Sequence, residues 1–253
     1  MSDKVLVERN GAVQIITINR PEARNAVDPE TADALKTAFE QGEADDSIKV
    51  HILTGNGGHF CAGADLKAVA AKADFTKDGP MGPTWLTLKK PSIAAVEGHA
   101  VAGGLELAIL CDLRVAAENA VFGVYCRRWG VPLIDGGTVR LPRLIGQSRA
   151  MDMALTGRPV AADEALSFGL ANRVVPVGEA LKAALEIAEQ LTAFPQSCMI
   201  NDRASMLHQW GVSMEDALVF EAEIGRDSLR AGAAAGATRF ASGKGRGGDF
   251  GNI

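Results

Sequence analysis

The sequence predicts an α/β fold that ends in a helical region, and three features carry that expectation. Strand-like and helix-like segments alternate in units of roughly 40 residues through the first two-thirds of the chain, the pattern of layered α/β proteins. Asn10-Gly11 lies between two aliphatic runs and signals a β-hairpin, because both residue types tolerate positive φ. From Gly137 onward strand signals nearly vanish and helical periodicity takes over. The 253 residues therefore divide into a core over 1–195 and a helical region over 196–253, with the boundary near Phe194-Pro195.

Each element has its own local reason. Val5 to Ile18 reads as two strands about the Asn-Gly turn. Asp28-Pro29 opens a helix, since Asp28 can cap free amides and proline suits the first helical position. Ala34, Leu35, Ala38 and Phe39 then share one face. Val50 to Thr54 is a short apolar strand, and Gly55-Asn56-Gly57-Gly58 turns the chain. Ala64 to Ala71 has helical composition, whereas Asp74 to Pro83, with Gly79, Pro80, Gly82 and Pro83, reads as a mobile loop. Ser92 to Val96 is a buried strand, Gly98 to Gly104 is rich in small residues, and Leu105 to Leu110 is an apolar helix followed by a strand at Leu113 to Ala116. Ala180 to Leu191, Gln196 to Leu207 and Met214 to Leu229 are helical by period. Apolar residues of the tail such as Met206, Leu207, Leu218 and Phe220 are expected to pack on the core or on a neighbouring subunit.

Composition excludes several functions. The 26 basic and 31 acidic residues give a net charge of −5, which argues against a dedicated nucleic-acid binder. Cys61, Cys111, Cys126 and Cys198 form no C-x-x-C pair, and His51, His59, His99 and His208 are scattered, so no metal site is expected. Unpaired cysteines suit a reducing compartment. The opening MSDKVLVERN lacks the apolar stretch of a signal peptide, and no run of roughly 18 apolar residues exists to span a membrane. A cytoplasmic location follows by elimination. Gly243 to Gly248 fits G-x-G-x-x-G, yet no strand precedes it and no helix follows, so it reads as a flexible basic tail and not as a dinucleotide fingerprint.

Two segments carry chemistry. One is Phe60-Cys61-Ala62-Gly63-Ala64-Asp65-Leu66; the other runs from Ile93-Ala94-Ala95-Val96-Glu97-Gly98 through Ala102-Gly103-Gly104 to Leu105-Glu106-Leu107. Each is a strand, then small residues, then a helix start. Free amides at a helix N-terminus attract negative charge, and two such sites converging on one oxygen would form an oxyanion hole. Taken singly, the same glycines would serve only tight turns and close packing.

The pair, with its spacing, resembles the crotonase superfamily, the enoyl-CoA hydratase/isomerase family. Asn19-Arg20-Pro21, Asn25-Ala26, Phe122-Gly123, Gly136-Gly137-Thr138, Arg140-Leu141-Pro142 and Phe168-Gly169-Leu170 continue the resemblance, which covers roughly residues 5 to 195. It implies a core of β-β-α turns wound into a superhelix, a C-terminal helical trimerisation region, and a homotrimer or a dimer of trimers. It also implies an acyl-CoA substrate, with coenzyme A entering as part of the substrate and no permanently bound cofactor. By position, the amides of Ala64 and Gly103 would hold a thioester enolate, and Ala62, Asp65 and Leu66 would lie along the bound coenzyme. Arg24 would approach the CoA phosphates, or else stand as a solvated loop residue.

Hydratases of this family use two glutamates. Glu106, three residues after Gly103, matches the first, and a charge inside an apolar helix must be functional or paired. The second belongs four residues after Phe122, where this chain has Cys126, a neutral thiol at the substrate and a poor base. Asp135 is the nearest replacement, either as a catalytic carboxylate or as a cap on the helix that begins near Gly136-Gly137. Arg127-Arg128-Trp129 would recognise a carboxylate on the acyl chain or pair with an acidic neighbour. The expected activity is enoyl-CoA hydration with Glu106 as general acid/base. The alternatives are a double-bond isomerase without hydratase activity and a catalytically weakened acyl-CoA binder.

Overall fold

The computed structural model describes residues 3–74, 79–248 and 250. The chain opens as an antiparallel hairpin of β1 (Val5–Asn10) and β2 (Val13–Ile18). Asn10 pairs with Val13, so the turn is Gly11-Ala12, one residue beyond the pair read from the sequence, and only Gly11 takes a positive φ, 58°. The hydrophobic pattern sets this register: it opposes Val5 to Ile18, both buried, and a one-residue slip would turn one strand's apolar set away from the core. Helix α1 (Pro29–Ala44) starts as expected, with Asp28 Oδ1 accepting from the Thr31 amide at 2.8 Å, a cap typically worth about 1 kcal/mol.

The core then repeats a β-β-α turn. β3 (Val50–Gly55) leads through a bridge at Cys61 to α2 (Leu66–Ala70). β4 (Ser92–Val96) leads through β5 (His99–Val101) to α3 (Gly103–Leu110). β6 (Leu113–Ala117) leads through β7 (Val121–Gly123) to α4 (Gly137–Ile145) and α5 (Gln147–Thr156). After these come β8 (Val160–Ala161), α6 (Ala162–Ser167) and β9 (Arg173–Val175). The first strand of each repeat joins a six-stranded sheet ordered β1-β2-β3-β4-β6-β9, parallel from β2 onward. The second strands build a smaller sheet, β5-β7-β8, and Cys61 pairs with Ala100 at its edge. This is the superhelical α/β architecture that the resemblance implied. Strands of two or three residues are too short to show alternation, so β5, β7, β8 and β9 were not visible in the sequence.

The large sheet is buried on both faces. Val13, Ile15, Val50, Ile52, Ile93 and Val115 meet α7 (Ala180–Ala193), whose Ala184 and Ala188 lie one turn apart and let the helix approach closely. The other face, with Ile16, Ile18, Leu53 and Val96, packs on α1, α3 and the smaller sheet. Beyond Pro195 the chain is helical: α8 (Gln196–His208), α9 (Met214–Ser228) and α10 (Ala234–Ala241), the last after a π-helical turn at Leu229–Ala233. Arg203 ties α8 to the core through Asp112, at 2.8 Å, and the Leu88 carbonyl, at 2.6 Å. Met206, Leu207 and Leu218 do not bury against the core; they are exposed, and Phe220 is half-buried against His208. Of the loop expected at Asp74 to Pro83, residues 75–78 lie outside the described residues; a turn closes Gly79 on Gly82, and a 3₁₀ turn follows at Pro83–Trp85. No helix among the described residues is long and apolar enough to cross a membrane.

Candidate active site

The two chemistry-bearing segments meet. Cys61 bridges Ala100, and a Cβ built on Gly63 would stand 3.0 Å from the Gly103 amide nitrogen. The segment from Cys61 to Ala64 therefore runs against the start of α3. Among the described residues, no group accepts a hydrogen bond from the Ala64 or Gly103 amide. Their flanking residues do pair: the Val27 amide donates to Gly63 O, the Asp65 amide to Val27 O, and the Leu105 and Glu106 amides to Ala102 O. Both free donors line a cleft of about 870 Å³. Gly104 is the residue that lets the segments close, since a Cβ there would lie 2.1 Å from Cys61 O. Ala102, with φ 54° and ψ −124°, holds a conformation that glycine favours and so stores strain where the amides are aimed.

Glu106 projects from the first turn of α3 into the same cleft and is only 2% exposed. Its Oε1 accepts from the Asp135 amide at 2.9 Å and the Gly137 amide at 2.8 Å. Oε2 has no protein partner among the described residues. Burial lifts this carboxyl to about 7; the Gly137 amide opposes the shift, and the neighbouring Asp135 charge adds to it. A group poised near neutrality suits both taking and giving a proton.

Cys126 stands in the 3₁₀ turn Tyr125–Trp129, buried and lining the cleft. Burial first, and then the Glu106 charge, push its thiol up, so it is neither a carboxylate substitute nor an activated nucleophile. Asp135 is 3% exposed and also lines the cleft. Its side chain does not cap α4, because Gly136, at φ 94°, occupies the cap position and the carboxylate is turned elsewhere. Oδ1 accepts the Met81 amide at 2.9 Å and the Thr84 hydroxyl. Arg140 completes the junction, donating to Asp135 O at 3.0 Å and Thr84 O at 2.7 Å. Burial raises the Asp135 carboxyl, and the Thr84 and Met81 donors hold it down.

The other expected residues separate. Arg24, Ala62 and Leu66 line the cleft. Asp65 serves the fold: Oδ1 accepts the Lys67 amide at 3.0 Å as the cap of α2, and Oδ2 pairs with Arg20 at 2.9 Å. Neither Arg127 nor Arg128 has an acidic partner among the described residues. Arg127 donates to Ala154 O at 2.9 Å, and the Arg128 guanidinium stacks 4.6 Å from the centre of the Tyr125 ring. Met81 and Thr84 left no signal in the sequence because they meet Asp135 from 54 and 51 residues away, whereas Arg140 stood in the Arg140-Leu141-Pro142 stretch with nothing to mark it as a site residue.

A family model described as enoyl-CoA hydratase/isomerase matches residues 8–235. The chain is 46% identical over 197 residues to the enoyl-CoA hydratase EchA19 of Mycobacterium tuberculosis, covering 74% of each. It is 43% identical over 197 residues to the carnitinyl-CoA dehydratase of Salmonella typhi, covering 76% of this chain and 75% of that one. Its structure superposes on that of the enoyl-CoA hydratase EchA1 from Mycobacterium marinum with a TM-score of 0.90 and 39% identity, over 95% of this chain and 96% of that one. An enoyl-CoA hydratase from M. tuberculosis H37Rv gives a TM-score of 0.91 at 39% identity, with the same coverage.

Proposed function

The chain belongs to the enoyl-CoA hydratase/isomerase family, and on that premise we propose that its cleft adds water to a conjugated enoyl-CoA thioester through an enolate held by the Ala64 and Gly103 amides. The observation that carries this reading is the conjunction of two unpaired amides with one buried carboxyl poised near 7 in a single cleft. Water attacks Cβ, and its proton passes to a carboxylate. The electron pair of the double bond moves onto the thioester oxygen, which accepts both amide hydrogen bonds. The enolate then collapses as a proton reaches Cα, so one water is consumed and nothing else is released. Each amide donor is typically worth about 2.7–4 kcal/mol in the transition state.

Glu106 carries the proton traffic through Oε2, with Asp135 as the second carboxyl group in place of the thiol at Cys126. Arg24, Ala62 and Leu66 lie along the coenzyme, which arrives as part of the substrate, and no permanent cofactor is needed. A dehydratase runs the same addition in reverse. A second reading is a double-bond isomerase. The Cys126 thiol favours it, because one base can take a proton from one carbon and return it to another. The apolar faces of the tail support a homotrimer or a dimer of trimers built through residues 196–253. The four free thiols support a reducing, cytoplasmic setting.

The test is the absorbance of a conjugated enoyl thioester. Turnover consumes it, a mere binder leaves it unchanged, and product analysis separates hydration from isomerisation. Glu106→Gln is expected to lose roughly 10²–10⁴-fold in kcat while CoA binding survives. Full activity in that variant would end the mechanism.

A further inference from the structure

Two carboxyl groups face one cleft, and each has one oxygen engaged by two donors. The donors differ in kind. Glu106 Oε1 takes two backbone amides, from Asp135 and Gly137, which stay in place whatever its protonation state. Asp135 Oδ1 takes one backbone amide, from Met81, and one hydroxyl, from Thr84. Thr84 is wholly buried, and Asp135 is the acceptor that its hydroxyl finds among the described residues. Because Oδ1 already accepts the Met81 amide, it is ill placed to carry a proton itself. The hydroxyl must therefore donate, and a donated hydroxyl is strongest against an ionised carboxylate.

We propose that Thr84 is a positioning residue of the active site: by donating to Asp135 Oδ1 it fixes that carboxylate and keeps it the ionised member of the pair, so that Glu106 holds the mobile proton. Two buried carboxyl groups whose surroundings differ in this way divide acid and base roles between them. Here Asp135 would take the proton of the attacking water and Glu106 would deliver its own to Cα. The proton count closes when the pair exchanges one proton between turnovers. The charged and titratable groups facing Glu106 are Asp135, Arg140 and Cys126, and Asp135 itself faces Arg140 and Glu106. Arg140 is bonded to backbone carbonyls at both ends of the junction, Asp135 O and Thr84 O, so it stays put when the Thr84 side chain is changed. The raised Glu106 carboxyl agrees with an ionised neighbour, since the Asp135 charge is among the causes.

Thr84 also ties the site to the enolate oxygen. The Met81 amide sits on the same Asp135 oxygen, and the Met81 side chain packs over Gly103, where an added Cβ would stand 2.5 Å from Sδ. One hydroxyl therefore steadies both the carboxylate and the residue covering an oxyanion-hole amide.

This inference rests on Glu106 as the acid/base, and it is tested without requiring turnover. The Glu106 carboxyl is titrated by carboxyl-¹³C NMR, with Glu106→Gln identifying its signal, in wild type, Thr84→Val, Thr84→Ser and Asp135→Asn. Removing the hydroxyl lets Asp135 neutralise, so the Glu106 midpoint should move toward acid by at least about half a pH unit in Thr84→Val. Asp135→Asn should move it as far or farther, and Thr84→Ser should return it to the wild-type value. Where a substrate is turned over, the alkaline limb of kcat/KM, set by loss of the Glu106 proton, should move with it. An unchanged midpoint in either Thr84→Val or Asp135→Asn overturns the proposal, as does failure of serine to restore it. If Thr84→Val does not fold, Thr84→Ala, which also lacks the hydroxyl, carries the same expectation and the same overturning result. Failure to hydrate any enoyl-CoA would count against the proposed function and leave these titrations standing.

Discussion

Glu106 is a carboxyl group placed where water cannot solvate its charge, and its backbone donors only partly make up for that loss. In the unfolded chain it ionises near the ordinary 4.5, whereas burial holds the folded group at about 7. Between those values the folded state binds the extra proton, so its contribution to stability falls as the pH rises through that window and stays low above it. The cost at about pH 8 is on the order of 3 kcal/mol. Glu106→Gln never carries the charge, so it should be more stable than wild type at about pH 8 and equal to it near pH 4. Chemical denaturation at both values checks this; an equal offset at both would contradict it. The candidate role of Glu106 was legible because a glutamate within an apolar helix demands a reason. Cys126 was legible as a departure from the two-glutamate pattern that the resemblance implied. Asp135 was legible only as a choice between catalysis and capping, and the structure sets capping aside. A glycine before α4 leaves the cap position without a side chain, and Asp135 finds its donors in a segment more than 50 residues earlier.

At the scale of elements, the junction of the segment 61–64 with α3 determines whether two amides can share one oxygen. Adjacent glycines there do different work. A Cβ on Gly104 would meet the Cys61 carbonyl at 2.1 Å, which is backbone and can yield only if the two segments separate. A Cβ on Gly103 meets the Met81 side chain, which is flexible. Gly104→Ala should therefore cost stability, by about 1–3 kcal/mol as overpacking usually does, and lose turnover together with it. Gly103→Ala should keep a near-wild-type Tm and lose turnover, because Met81 is displaced beside the amide. Gly103→Val should do the same more severely. Thermal melts alongside the enoyl-thioester assay separate the two outcomes, and a stable, fully active Gly104→Ala would refute the packing account. The motif A-G-A-D-L with A-G-G announced this junction in the sequence. What it did not announce was the covering residue, since Met81 lies in a Gly- and Pro-rich stretch that offers no periodicity. The hairpin shows the same limit on a smaller scale: the turn was evident, while its one-residue offset depended on which β1 residues meet buried β2 residues.

For the whole molecule, the helical tail was the most regular part of the sequence, yet periodicity cannot say what an apolar face will meet. Within one chain α8 and α9 pack on each other, with Asn201 donating to Ile224 O and to Ser228 Oγ, both at 2.9 Å. Arg203 anchors the pair to the core. One face of α9 remains exposed: Met214 is 74% exposed and Leu218 55%, with Val219 exposed beside them, while Met206, Leu207 and Trp210 are exposed along a separate groove shared with core residues Leu110 and Leu113. Scattered apolar residues are ordinary on a surface, but a run of them along a helix pair is the composition of an interface. For the exposed members the core is not the partner within the chain, and the proposed subunit contact is the alternative that measurement in solution tests. Light scattering on wild type is expected to give three or six times the 26.5 kDa chain mass. Leu218→Arg combined with Val219→Glu places charges where a subunit would have to desolvate them. That double variant should fall to smaller species and make Tm depend on protein concentration, since assembly stabilises the folded chain by mass action. Circular dichroism should show its helices retained, because both side chains are already exposed within the chain. A wild type that stays monomeric at micromolar concentration, or a double variant that assembles unchanged, would mean that the tail serves some other contact.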